Sequence, residues 1–136
     1  MTDKIKLKAD INNFGVFIGF IEDFFTHTGI DKNLQLKLLT ACEEVIINVL
    51  KYAYPKDKGD LEITVSDNTD SIEFIFEDSG VQFNPLEHAE ADVDKEINDR
   101  EQGGLGIFMV KKMMDEVTYK NVDNKNILTI KKIINV

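Results

Sequence analysis

The chain has 136 residues, 43% of them apolar and 30% charged, with a formal net charge of −9. That size and balance fit one globular domain with a core of its own. The acidic balance argues against a nucleic-acid backbone as partner, and no run approaches the ~18 apolar residues of a membrane span.

The opening residues, Met1 to Lys6, are charged and hold no apolar signal region. The single cysteine, Cys42, excludes an internal disulfide and suits a reducing cytoplasm. Among apolar neighbours on a helix, it reads as a small buried residue rather than a reactive thiol.

In chain order, Ile5, Leu7 and Ala9 alternate with Lys4, Lys6, Lys8 and Asp10, which predicts a half-buried strand. Phe14, Phe17, Ile18, Ile21, Phe24 and Phe25 then recur at steps of three and four, an amphipathic helix ending near Gly29. Asp31 is placed to cap a second helix. Its stripe is Leu34, Leu38, Ala41, Val45, Val49 and Ala53, and it must stop before Pro55. Leu61, Ile63 and Val65, a turn at Asp67-Asn68-Thr69-Asp70, and Ile72, Phe74 and Phe76 predict a β-hairpin.

Between Glu87 and Glu101 seven acidic residues face only Lys95 and Arg100. Such a segment buries little and reads as a mobile insertion. A helical pattern follows from Ile107 through Val110 to Met114. Two last strands, Glu116–Lys120 and Asn126–Ile133, are joined by a turn at Asp123-Asn124. The expected fold is α+β: one mixed, mostly antiparallel sheet with helices packed on one face.

Three stretches carry chemistry. Glu44 and Asn48 share one face of the second helix, four residues apart. One offers a carboxylate that can take a proton, the other a carbonyl oxygen suited to a hard cation such as Mg²⁺. Glu43 is expected to point away, toward solvent. Asp78-Ser79-Gly80 follows a strand, so Asp78 stands at the sheet end, where its carboxylate can accept from an exocyclic amine. Gly80 would let backbone approach a flat ring closely. The alternative is a plain tight turn. Gly103-Gly104-Leu105-Gly106 leads into a helix, whose N-terminal N–H groups make a credible phosphate cradle. Here the alternative is a flexible hinge.

The order of these stretches resembles the Bergerat-type (GHKL) ATP-binding family, which includes gyrase, histidine kinases and mismatch-repair ATPases. Glu44-x-x-x-Asn48 is similar to its first box, Asp78-x-Gly80 to its second and Gly104-x-Gly106 to its third. Within that family the chain looks most like the bacterial anti-sigma factor serine/threonine kinases. The residues that carry this likeness run from Glu44 to Pro55, from Asp78 through Phe83-Asn84-Pro85, from Gly103 to Ile107, and over Met114-Asp115-Glu116-Val117.

The resemblance implies a single ATPase domain over residues 1–136 with an ATP lid at about 84–103. It implies Mg²⁺ on Asn48, the adenine of ATP on Asp78, and phosphates on the glycines Gly103, Gly104 and Gly106, with Gly80, Phe83 and Leu105 as further cofactor-binding residues. Glu44 would be the general base. Histidine kinases usually carry Asn there, so Glu44 leans toward a hydroxyl nucleophile. Lys51 could reach a phosphate as a point charge or be a solvated helix lysine. Arg100, the chain's only arginine, could assist at the γ-phosphate. The implied partners are an anti-anti-sigma protein of the STAS type (sulfate transporter and anti-sigma antagonist) and a sigma factor, and a homodimer is implied too. The alternatives are an ATP-binding partner-switch module without kinase activity and a detached histidine-kinase-type catalytic domain. His27 and His88 receive no role.

Overall fold

The computed structural model describes residues 1–86 and 104–134. The acidic segment, with His88, Arg100 and Gly103, lies outside them. Strand β1 (Thr2–Lys8) leads through a 3-10 turn (Ile11–Asn13) into α1 (Phe14–Phe25). Then come α2 (Lys32–Tyr52), β2 (Asp60–Asp67) and β3 (Ser71–Asp78). Helix α3 (Gly104–Met113) precedes β4 (Glu116–Val122) and β5 (Lys125–Ile133). The strands form one sheet in the order β1-β2-β3-β5-β4, and all four pairings are antiparallel. The three helices lie on one face, so the expected α+β architecture stands.

The sequence explains most of these boundaries. Asp31 caps α2, its carboxylate accepting from the Leu34 N–H at 2.9 Å. Helix α1 ends earlier than Gly29 because Thr26 and Thr28 hydroxyls take the carbonyls of Asp23 and Phe25. Strand β1 starts two residues before the apolar alternation does, since Thr2 and Asp3 still pair with Ser66 and Val65. It ends at Lys8, and Asp10 then caps the 3-10 turn, which the alternation did not announce. Asp123 and Asn124 both have positive φ (53° and 64°) and make the tight turn between β4 and β5, a conformation these residue types tolerate.

The core lies between helices and sheet. Phe17, Ile21, Phe24 and Phe25 of α1, and Leu38, Ala41, Val45 and Ile46 of α2, meet Leu61, Ile63, Phe74, Phe76 and Ile130 from the strands. Phe25 and Phe74 meet edge to face, with ring centroids 6.3 Å apart. Cys42 is fully buried among them, and burial, with a smaller push from Glu43, raises its thiol well above the usual range. Glu43 itself is half-buried rather than solvent-facing. Helix α2 packs against both α1 and α3, and from Ala41 to Leu50 none of its residues is exposed. Asp115 joins helix to sheet. Its carboxylate accepts from the Ile133 N–H at 2.6 Å, and its own N–H donates to the Lys131 carbonyl. This pins the end of α3 to β5. No helix among the described residues is long and apolar enough to cross a membrane.

Candidate functional site: a cavity at the sheet end

On the helix-facing side of the sheet, side chains alternate in register. Phe76, Leu128 and Tyr119 stand side by side on β3, β5 and β4. One step further along, toward the sheet end, the row becomes polar: Asp78 lies opposite Asn126, and Asn126 opposite Asn121. Here the strands pass the end of α2, and a cavity of about 350 Å³ opens between them. That volume suits a small-molecule ligand. Its apolar part includes Val45, Val49, Phe76 and Leu128. Asp78 and Asn126 supply polar groups from the sheet, and Asn48 and Lys51 supply them from α2. Val81, Phe83 and Pro85 line it from the segment after β3.

Asp78 is 8% exposed. Its Oδ1 accepts from the Gly80 N–H and from Asn126 Nδ2, each at 2.9 Å. Burial pushes its carboxyl up from the ordinary aspartate range, and the two hydrogen bonds partly offset that push. Nearby Glu77 adds a small upward contribution. Gly80 does not line the cavity. A Cβ there would collide with the Ala53 carbonyl, and the next residue, Val81, donates its N–H to that same oxygen at 2.8 Å. The close approach that requires glycine is therefore to the end of α2. Tyr54 completes the clamp, donating to the Asp60 carbonyl and accepting from the Ser79 N–H, both at 2.7 Å. Burial raises its hydroxyl pKa as well.

Asn48 is buried on α2 at 9% exposure, and its Oδ1 has no hydrogen-bond partner among the described residues. Buried acceptors are almost always paired, so an orphaned one on a cavity wall marks a place where a ligand or cation fits. A carbonyl oxygen is a suitable donor for Mg²⁺. Lys51, three residues on, is exposed at the rim.

One turn earlier, Glu44 is half-buried and sits outside the cavity lining. Its carboxylate lies against α3, where a Cβ on Gly106 would collide with Oε2. Gly104 and Gly106 are the first and third residues of α3, so they form its first turn instead of preceding it. For Gly104 and Leu105 only the helical backbone is described. The structure thus gathers Asn48, Lys51, Asp78 and Phe83 in one cavity and puts Glu44 beside Gly106. Arg100 and Gly103 lie outside the described residues.

Asn126, Tyr119 and Asn121 were not singled out by motif. Phase could have found Asn126: it alternates with Leu128 and Ile130, so period two turns it inward. An inward asparagine at a strand end is a buried polar group in need of partners.

A family model described as "Histidine kinase-like ATPase domain" matches residues 7–132. A serine-protein kinase RsbW of Bacillus mycoides (strain KBAB4) is 26% identical over 95 residues, covering 67% of this chain and 59% of that protein. The serine-protein kinase RsbW of Bacillus cereus (strain ATCC 10987 / NRS 248) is 27% identical with the same coverage. This chain therefore matches somewhat under two thirds of those relatives' length. Among solved structures, the Acinetobacter baumannii histidine kinase AdeS shares the fold, with a TM-score of 0.55 and 16% identity over 97% of this chain and 68% of that one. With the family model spanning nearly all of the described strands and helices, the chain belongs to the histidine kinase-like ATPase domain family.

Proposed function

We propose that this protein binds Mg-ATP and transfers the γ-phosphoryl group to a serine or threonine of an anti-anti-sigma protein, controlling a sigma factor by partner switching. The observation that carries the reading is the buried, unpartnered Asn48 Oδ1 on the wall of a cavity whose sheet end presents the Asp78 carboxylate. The donor set fits the nucleotide: an acceptor for an exocyclic amine at one end, an oxygen for a hard cation and a lysine at the other. Asn48 would hold Mg²⁺, whose charge offsets that of the phosphates. Lys51 would add a point charge at the rim.

Glu44 supports the kinase half of the reading. It stands one helical turn from Asn48, and a carboxylate there can orient and deprotonate a hydroxyl. Its carboxylate lies beside Gly106 in the first turn of α3, where the helix N-terminus favours phosphate. The relatives named as serine-protein kinases favour a hydroxyl acceptor over an imidazole. A cytoplasmic homodimer, with no nucleic-acid or membrane partner, goes with the same proposal.

The test is transfer of labelled phosphate from ATP to a STAS-type antagonist, with binding of Mg-ATP measured in parallel. Wild type should bind and label. Asn48→Ala should lose Mg-dependent binding by roughly tenfold or more, the scale of one lost interaction with a charged group. If Asn48→Ala binds Mg-ATP as well as wild type, the site is misassigned. Binding without any labelling would leave an ATP-dependent binding module in place of a kinase.

A further inference from the structure

The polar row at the sheet end contains a residue that no motif of the family reading uses. Asn126 employs its whole side chain. Nδ2 donates to Asp78 Oδ1 and to the Val81 carbonyl, each at 2.9 Å. Oδ1 accepts from the Tyr119 hydroxyl at 2.5 Å and from Asn121 Nδ2 at 3.2 Å. Two donors and two acceptor positions are thereby filled. The amide cannot be turned over, because Oδ1 would then face the carboxylate and the Val81 carbonyl, while Nδ2 would face the Asn121 amide.

This locked amide fixes Asp78. Both donors, Asn126 Nδ2 and the Gly80 N–H, go to Oδ1. No donor among the described residues goes to Oδ2. A carboxylate held this way presents one acceptor in one direction. Resting on the nucleotide reading above, we infer that Asn126 is the positioning residue for base selectivity: it holds the Asp78 carboxylate oriented so that Oδ2 takes an exocyclic amine, favouring a 6-amino purine over a 6-oxo purine. A 6-oxo base would set its own oxygen against the carboxylate, an acceptor against an acceptor, and leave both unpaired. A carboxyl free to rotate or to take up a proton could meet either base. Asn126 removes the first freedom and works against the second, since its N–H bond favours the ionised form that burial disfavours.

The surroundings add few competing charges. Glu77 precedes Asp78 on β3, Lys51 of α2 is at the cavity rim, and Tyr54 and Tyr119 reach in from the loop after α2 and from β4. On the β2 side the residue opposite Asp78 is Leu61, with Asp60 beside it bonding Tyr54 through its backbone carbonyl.

The experiment compares Asn126→Val with Asn126→Thr. The two have nearly the same shape and suit a strand, but only threonine keeps a donor for Asp78. Affinities for ATP and GTP are measured calorimetrically with Mg²⁺ from about pH 4 to about pH 8, a range that starts near the ordinary carboxylate value and runs upward from it. The ATP-to-GTP ratio cancels the titration of the phosphates, which the two nucleotides share. Wild type should prefer ATP, and its preference should fade toward the acid end. Asn126→Val should cut the ratio by roughly tenfold or more, the worth of a hydrogen bond to a charged group. It should also move the pH at which the preference fades upward, because the carboxyl loses a donor. Asn126→Thr should recover part of both.

Tyr119→Phe, which removes only a bond to Asn126 Oδ1, should shift the ratio in the same direction by less, and it serves if the Asn126 variants do not fold. A ratio and a pH profile unchanged in Asn126→Val and in Tyr119→Phe overturn the inference while leaving ATP binding intact. Wild type that binds neither nucleotide overturns the underlying nucleotide reading, and this inference with it.

Discussion

At the sheet end of the cavity the polar groups are tied to one another before any ligand arrives; at the α2 end they are not. Asp78 Oδ1 has two donors, Asn126 is filled on all sides, and the turn after β3 is fastened to Ala53 and Tyr54. Asn48 Oδ1, by contrast, is buried with no partner among the described residues, and the Glu44 carboxylate lies where a Cβ on Gly106 would stand. The difference has a physical logic. Recognition of a flat base gains from groups fixed in advance, because a fixed acceptor loses no entropy on binding. A metal- and phosphate-bearing end needs oxygen atoms left free for a charge that is not yet there. The unpaired amide oxygen costs stability, on the order of 1–3 kcal/mol for a buried orphan, and a bound cation would recover that cost.

The contrast can be broken first at Glu44. Glu44→Gln keeps the shape and removes the ability to take a proton. Under the kinase proposal, phosphoryl transfer should fall by roughly 10²–10⁴-fold, the usual contribution of a general base. ATP affinity should stay within about twofold of wild type, since Glu44 does not line the cavity. Single-turnover transfer and equilibrium binding separate the two. Equal loss in both would put Glu44 at the ligand instead.

A smaller effect should come from Gly106→Ala. The added Cβ would occupy the place of Glu44 Oε2, and the carboxylate, being the far end of a flexible side chain, can swing aside. The fold should survive, with a melting temperature within a few degrees of wild type, a shift of about 1 kcal/mol or less. Transfer should nonetheless drop by up to about a hundredfold, because a displacement near 1 Å is enough for that. If Gly106→Ala transfers like wild type, the contact with α3 does not position Glu44.

The same two ends differ in how far they could be read from the sequence. Glu44 and Asn48 are legible because a helix of regular period puts residues four apart on one face, and Asp31 and Pro55 bracket that helix. Asp78 is legible because it closes an alternating strand. What joins them is tertiary. Nothing local in Asn126 says that β5 runs between β3 and β4, which is the pairing that sets it opposite Asp78. The reason for Gly80 is likewise remote: only when α2 packs over the sheet end does the Ala53 carbonyl fill the space that a side chain would need. The period of a strand reveals which way Asn126 faces, but strand order decides what it meets.

The smallest effect tests the fixed end through its acid–base behaviour. Burial raises the Asp78 carboxyl above its ordinary range despite the Asn126 and Gly80 hydrogen bonds. Between the ordinary value and the raised one, the folded chain binds more protons at this site than the unfolded chain does. Stability therefore falls as pH rises through that window, and the penalty is fully present above it. Asp78→Asn is nearly isosteric and keeps an Oδ1 for both donors, yet carries no charge to desolvate. Without ligand, the variant should match wild type below the ordinary aspartate range and become the more stable of the two as pH rises toward neutrality. With saturating Mg-ATP the order should reverse, because the variant offers an amide N–H where the base presents its amine, and ligand stabilisation follows affinity. Thermal melts of both proteins over this pH range, with and without nucleotide, measure all four quantities. A difference between the unliganded proteins that does not change with pH would mean that Asp78 is not the titrating group. A variant that gains as much from ATP as wild type does would mean that the carboxylate, however firmly held, does not face the base.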